Sequence, residues 1–171
     1  MISFDGYMDI AEETQFSSIQ SQIMSYQQLT EEQKVFIATI AGESIGQGSV
    51  AWEAVSNTVI NRIGVYDWAR YKTAFEVIKN TGYEGYGSRE YVKAMEYLSK
   101  RSGDNQLYES LISTVMPIYD RKVGDITEGA QLFYSPNKMS DGERPSWNFS
   151  LLEEVRIDGI DPNDFRFFRY K

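Results

Sequence analysis

The sequence predicts a mainly α fold with a few short β-strands at its C-terminal end. Apolar residues recur at three- and four-residue spacing through Tyr119, the signature of amphipathic helices. Beyond Gly124 the texture changes to short aromatic and β-branched runs punctuated by Pro136, Pro145 and Pro162. A chain of 171 residues, 42% hydrophobic and 25% charged, suits one hydrophobic core without staples. No repeat or Pro/Ser-rich linker interrupts it, so the expected organisation is a leader and peripheral helix over 1–28 and a single domain over 29–171.

Phe16, Ile19, Ile23 and Tyr26 form an apolar stripe on an otherwise polar segment, which reads as the peripheral helix. Thr30-Glu31-Glu32-Gln33 has the form of a capping box, and Phe36, Ile37, Ile40 and Ala41 continue it, predicting a helix from Thr30 to about Gly42. Three glycines in Gly42-Glu43-Ser44-Ile45-Gly46-Gln47-Gly48 then favour a tight turn over helix. Ala51, Ala54, Val55, Thr58, Val59 and Arg62 give the next helix, capped by Ser49 and closed by Gly64. A short helix over Thr73–Ile78 stops at Gly82, before an aromatic loop, Tyr83-Glu84-Gly85-Tyr86-Gly87.

Ser88 caps a helix whose inner face is Tyr91, Ala94, Met95 and Leu98. Leu107, Leu111, Ile112, Val115 and Met116 define another, making about six helices by Tyr119. Leu132-Phe133-Tyr134, Glu153 to Ile157 and Phe165 to Tyr170 are the expected strands.

Cysteine and histidine are both absent. Ser-His-Asp and Cys-His nucleophilic triads are thereby excluded, and zinc chemistry loses its usual ligands. The Asp158, Asp161, Asp164 cluster lacks the spacing of a calcium loop and reads as a turn, so no metal and no cofactor is expected. With 17 Lys+Arg against 25 Asp+Glu, the net charge of −8 repels a phosphate backbone, and nucleic acid is not an expected partner. No apolar run approaches the roughly 18 residues of a membrane span. Met1 to Tyr26 carries acids and no Lys or Arg, so neither a signal peptide nor a membrane partner is expected.

Among the remaining chemistries, Glu43 stands out, placed where a capped apolar helix runs into a glycine-rich turn. Free carbonyls at a helix C-terminus and the flanking Ile40 and Ile45 both disfavour the charged carboxylate. A carboxyl kept protonated near neutral pH is what protonating a glycosidic oxygen requires. A solvated Glu at a helix end is the other reading of the same local sequence. Tyr83, Tyr86 and Tyr134 offer phenol rings suited to a sugar groove, or to a core. Gln131 and Ser56, with Asn57, are polar groups that such a groove could use. Trp52, Trp68 and Trp147 read as core or edge packing, and the Arg62 head as the partner of an acid.

The stretch Ile37-Ala38-Thr39-Ile40-Ala41-Gly42-Glu43-Ser44-Ile45-Gly46-Gln47-Gly48, followed by Ala54-Val55-Ser56-Asn57-Thr58-Val59-Ile60-Asn61-Arg62, resembles the core of the SleB-like cell wall hydrolases, the spore-cortex-lytic enzymes and their relatives. In that family a Gly-Glu-Ala-Arg-Gly-like motif precedes a helix ending in Leu-Asn-Arg. Thr73-Ala74-Phe75-Glu76-Val77-Ile78 with Gly82-Tyr83 is similar to the segment leading into the family's substrate loop. Gly129-Ala130-Gln131-Leu132-Phe133-Tyr134 resembles its Gly-Ala-x-x-Tyr-Tyr strand, and Pro145-Ser146-Trp147 with Phe165 to Tyr170 its C-terminal texture. The likeness runs in order from residue 33 to 170.

The resemblance implies a lysozyme-like helical domain that cuts the MurNAc-GlcNAc bond of peptidoglycan, with Glu43 as the acid, and it tips Tyr134 toward the sugar groove. Tyr83 and Tyr86 are groove candidates from their glycine-rich loop, Gln131 as a partner for an acetamido group or a solvated strand residue, and Ser56 as a groove or helix-surface residue. Ser44-Ile45 stands where Ala-Arg is common, and Gln47 where relatives usually have a second Glu. Glu53 is the sole nearby acid on the next helix. A two-carboxylate glycosidase holds its pair about 5–5.5 Å apart for retention or about 6.5–9.5 Å for inversion. Lytic transglycosylation needs one Glu and is therefore the expected reaction. A hydrolysing muramidase and a non-catalytic glycan-binding or structural module are the alternatives. The expected place of action is the periplasm or cell wall, reached by a secretion machine, a phage lysis system or a virion. A delivered effector would imply a cognate immunity or inhibitor protein.

Overall fold

The computed structural model describes residues 28–171 apart from Ser102. The chain divides into two units, Met1–Thr30 and Glu31–Lys171, and every element below belongs to the second. The peripheral helix expected around Phe16 to Tyr26 lies outside the described residues.

Seven consecutive residues, Val35 to Ala41, are buried, which makes α1 (Glu31–Ser44) a helix apolar on all sides and therefore surrounded. Around it stand α2 (Ser49–Arg62), α3 (Ala74–Asn80), α4 (Arg89–Lys100) and α5 (Gln106–Tyr119), all four packed against it. Its two buried hydroxyls are satisfied within the helix, Thr39 Oγ1 donating to Val35 O and Ser44 Oγ to Ile40 O. The fold is mainly α, with a small antiparallel sheet at its C-terminal end.

α1 runs two residues beyond the expected stop at Gly42, so Glu43 sits in its last turn and not after it. Gly42 is helical, and the turn is a 3-10 segment, Ile45–Gln47, closed by Gly48 at φ 86°. That Gly48 is also the N-cap of α2, and Ser49 provides no side-chain cap. The freed carbonyl of Ser44 is taken by the indole N–H of Trp52, one turn into α2.

α3 carries a complete capping box between Thr73 and Glu76. Ser88 accepts from Tyr91 N as expected, and Asn105 caps α5. Ala94 and Leu98 are the buried side of α4, whereas Tyr91 and Met95 are half-buried. Leu107 does not join the α5 core; it is 47% exposed, in the first turn beside the Asn105 cap.

The strands are β1 (Leu132–Tyr134), β2 (Leu152–Val155) and β3 (Arg166–Tyr170), in the order β1-β3-β2. Both pairings are antiparallel, Phe133 opposite Phe167 and Val155 opposite Phe167. One sheet face collects Leu132, Tyr134, Leu152 and Phe168, on which Trp68, Met139, Trp147, Phe149 and Tyr170 pack. Ion pairs Arg166–Glu154 and Arg169–Glu153 lace β3 to β2. Asn61 and Arg62, at the end of α2, donate to the carbonyls of Ala130 and Gln131 and so fix the sheet to the helices. Among the described residues, no helix is long and apolar enough to cross a membrane.

Candidate active site

A cleft of about 650 Å³ opens between the helical body and the sheet, with Glu43 in its wall. Glu43 is only 8% exposed, and its Oε1 accepts the backbone N–H of Gly85 at 2.6 Å. Gly85 belongs to the 82–87 loop, which lies directly against the last turn of α1. The close approach depends on two missing side chains: a Cβ on Gly42 would meet the Gly85 carbonyl and Ser88 Oγ, and a Cβ on Gly85 would meet Glu43 itself.

Burial pushes the Glu43 carboxyl above its ordinary value of 4.5. The Gly85 N–H opposes this, as does the positive charge of Lys138; the negative charge of Glu84 reinforces it, and Arg62 opposes it again. Because Oε1 accepts the amide proton, Oε2 is the oxygen left to carry a proton when the group is protonated. Glu43 is thus a buried carboxyl, oriented by one backbone bond, in the wall of the cleft.

Arg62 lies across the cleft floor, 6% exposed. Its Nε donates to Gln131 O at 2.6 Å, and its Nη1 to Thr81 O at 3.1 Å and Thr81 Oγ1 at 2.8 Å. The guanidinium also sits over two rings, 4.9 Å from the centroid of Trp68 and 4.6 Å from that of Tyr83. Among the described residues the expected acid partner is absent: two carbonyls, the Thr81 hydroxyl and two ring faces hold this charge.

Tyr83 lines the cleft, almost fully buried, with its hydroxyl 3.1 Å from Thr58 Oγ1. Burial pushes its phenol up, against the pull of Arg62 and Thr58. Tyr134 also lines the cleft, its ring stacked 5.9 Å from Phe168 and its hydroxyl receiving Arg166 Nη1 at 3.4 Å.

Three expected groove residues stand elsewhere. Tyr86 is exposed, does not line the cleft and packs edge-on against Tyr91. Gln131 is buried, its side chain accepting from Tyr170 N and its carbonyl from Arg62. Ser56 is fully buried within α2 and donates back to Trp52 O, as Asn57 does to Glu53 O. Glu53, on that helix, is not part of the cleft wall.

The cleft adds residues that spacing did not single out. Trp68 and Trp147 pack on the sheet cluster, as expected, yet both also face the cleft; Trp52 alone is purely internal. Phe133, Met139 and Tyr170 complete its aromatic and apolar wall. Asp67 and Glu84 are exposed carboxylates on its rim, and Lys138 is an exposed cation there. The dense aromatic content after Gly124 was the available signal for this wall, but packing and ligand-facing aromatics share that signature. Asp161 and Asp164 accept from Asn163 N and Asn137 Nδ2, in the manner of turn residues. Among the described residues no three acids are grouped to hold a metal ion. No protein-family model matches the chain, and no curated protein or solved structure matches it.

Proposed function

We propose that this chain cleaves peptidoglycan glycan strands at the MurNAc-GlcNAc bond, as a lytic transglycosylase with Glu43 as its single acid and base. One observation carries the reading: a buried carboxyl, raised by desolvation and oriented by the Gly85 N–H, lines an aromatic cleft large enough for several sugar rings. The resemblance to the SleB-like hydrolases supports the same assignment from the sequence side.

In this mechanism Oε2 of Glu43 protonates the glycosidic oxygen as its bond to C1 of the muramic acid breaks. The resulting carboxylate then takes the proton of the same sugar's 6-hydroxyl while O6 bonds to C1. The products are a 1,6-anhydro end and a free 4-hydroxyl, with no water consumed. Glu43 ends protonated, ready for the next bond.

Hydrolysis is the second reading, favoured by Asp67 and Glu84, two further carboxylates on the same cleft wall that could direct a water. Mass spectrometry of muropeptides released from purified sacculi separates the two, since anhydro and reducing ends differ by one water. Anhydro ends are expected; reducing ends would assign hydrolysis. Release of neither would leave a non-catalytic glycan-binding module. Peptidoglycan lies outside the cytoplasm, so the reading places the site of action in the periplasm or cell wall, by delivery through a secretion machine, phage lysis system or virion. For a delivered effector it adds a cognate immunity protein.

A further inference from the structure

We propose that the turn Tyr66–Trp68, with Tyr170, forms a saccharide subsite that prolongs the cleft away from Glu43 and takes a neutral pyranose ring of the glycan strand. The proposal rests on the glycan-cleaving reading above. Tyr66 is 60% exposed and its backbone is held at φ 45°, a left-handed conformation that bulky residues rarely adopt. The other two non-glycine residues in that region have local reasons: Arg121 follows the end of α5, where left-handed residues commonly terminate helices, and Glu128 precedes Gly129 in a turn tied down by Asp125. Tyr66 opens a hydrogen-bonded turn, Trp68 N donating to Val65 O and Ala69 N to Tyr66 O, and that turn holds the ring outward with its hydroxyl making no hydrogen bond to a described residue. Strain of this kind, with an exposed ring as its result, is a feature of ligand sites.

The ring also has a definite place. It lies 5.0 Å from that of Tyr170 at an interplanar angle of 38°, and Tyr170 lies 6.2 Å from Trp68. Tyr170 and Trp68 both line the cleft, so Tyr66 continues one aromatic surface outward from it. Asp67, exposed on the cleft rim between Tyr66 and Trp68, supplies an acceptor beside these rings. A pyranose has an apolar face of C–H groups and an edge of hydroxyl donors, which an aromatic shelf with an adjacent carboxylate fits. The same carboxylate repels the acidic groups of peptide stems, so the occupant is a sugar ring and not a stem.

The test measures affinity by calorimetry for peptide-free GlcNAc-MurNAc oligosaccharides, a disaccharide and an octasaccharide, using Glu43→Gln protein so that nothing is cut. Tyr66→Gly suits the left-handed backbone and removes the ring; Tyr66→Phe keeps the ring; Arg121→Gly relieves strain away from the cleft. Tyr66→Gly should weaken the octasaccharide by about fivefold or more and leave the disaccharide unchanged. Tyr66→Phe should stay within about twofold and Arg121→Gly should match the parent. In the parent, the octasaccharide and not the disaccharide should shift the Tyr66 ring resonances, which tests the subsite without altering it. Unchanged octasaccharide affinity in Tyr66→Gly, an equal loss for both lengths, or a Tyr66 ring untouched by the octasaccharide would overturn the subsite. Wild-type cleavage of sacculi alongside such a result would leave the catalytic reading standing. Length-dependent binding without wild-type cleavage would do the reverse.

Discussion

Gly42 and Gly85 meet backbone to backbone, and neither has room for a Cβ. An added Cβ on Gly85 would lie 2.5 Å from Glu43 N and 2.7 Å from both Glu43 Cγ and Thr39 O; one on Gly42 would lie 2.6 Å from Ser88 Oγ. This contact seats the 82–87 loop on the last turn of α1 and brings the Gly85 N–H to Glu43 Oε1. Acid placement therefore depends on two glycines as much as on the acid itself.

Gly85→Ala should force the loop off α1, since the atoms in the way are largely backbone and cannot yield. The expected cost is about 1–3 kcal/mol of stability, and turnover should fall on the order of 10²-fold as Glu43 loses its orienting bond. Gly87→Ala is the contrast: its φ of 78° is left-handed, but nothing lies within 4 Å of its Cβ. It should lose about 1–2 kcal/mol through backbone strain with turnover nearly preserved. Denaturant unfolding and a sacculus turbidity assay on both proteins check this. Equal effects on turnover would show that the contact with α1 does not govern Glu43.

Glu43→Gln keeps an oxygen for the Gly85 N–H but has no proton to give, so turnover should drop about 10²- to 10⁴-fold in a protein with an unchanged circular dichroism spectrum. Its stability should move the other way. Burial raises the folded-state pKa above 4.5, so the native state holds a proton that the unfolded chain releases. The stability linked to that proton is full below 4.5 and is lost as pH rises through the folded pKa. The Gln protein has no such loss, so its melting temperature relative to wild type should increase between about pH 4 and about pH 8. A constant difference across that range would falsify the raised pKa.

What could be read in advance follows from how locally each feature is encoded. α2, α4 and α5 are written in periodicity, with the Ser88 cap of α4 acting within four residues, and the strands in short aromatic runs; these emerged with small boundary errors, while the cap of α2 fell to Gly48 in place of Ser49. The end of α1 did not, because Gly42 reads as a breaker until the loop 42 residues later shows why its hydrogen is required. The position of Glu43 at the end of an apolar helix is written in the sequence, although the helix carries it in its last turn and not after its end. Tyr83 and Tyr86 were indistinguishable, three residues apart in one loop; the turn between them puts one ring in the cleft lining and leaves the other exposed outside it. The acceptors of Arg62, two carbonyls and the Thr81 hydroxyl, lie 69 and 19 residues away and include no acid, so no charge pattern in the sequence points to them.

Arg62 also carries a stability prediction. Its fork joins the approach to β1 with the end of α3 through Gln131 O and the two oxygens of Thr81. An ammonium cannot reach both with that geometry, so Arg62→Lys should destabilise nearly as much as Arg62→Leu, each by about 3 kcal/mol, through buried acceptors left unpaired. Guanidinium-chloride unfolding of the two variants decides it. A lysine variant close to wild type would mean that charge alone, and not the planar fork, holds the sheet to the helices.

The pH profile of cleavage should be steerable from the cleft rim. In the proposed mechanism turnover needs protonated Glu43, so the rate should fall on the alkaline side with a midpoint above 4.5. Lys138 holds that midpoint down and Glu84 holds it up, both through space and both from exposed positions. Lys138→Gln removes a charge that favours the carboxylate, so the alkaline limb should move to higher pH; Glu84→Gln removes a repelling charge, so it should move lower. Both displacements should shrink as salt screens the rim, while the offset that burial imposes on Glu43 persists. Initial rates against pH for the three proteins, at low and at moderate ionic strength on one sacculus preparation, give four displacements with stated signs. Movement of both variants in one direction would mean that the titrating group is not Glu43, since no single charge change at its two neighbours could produce it.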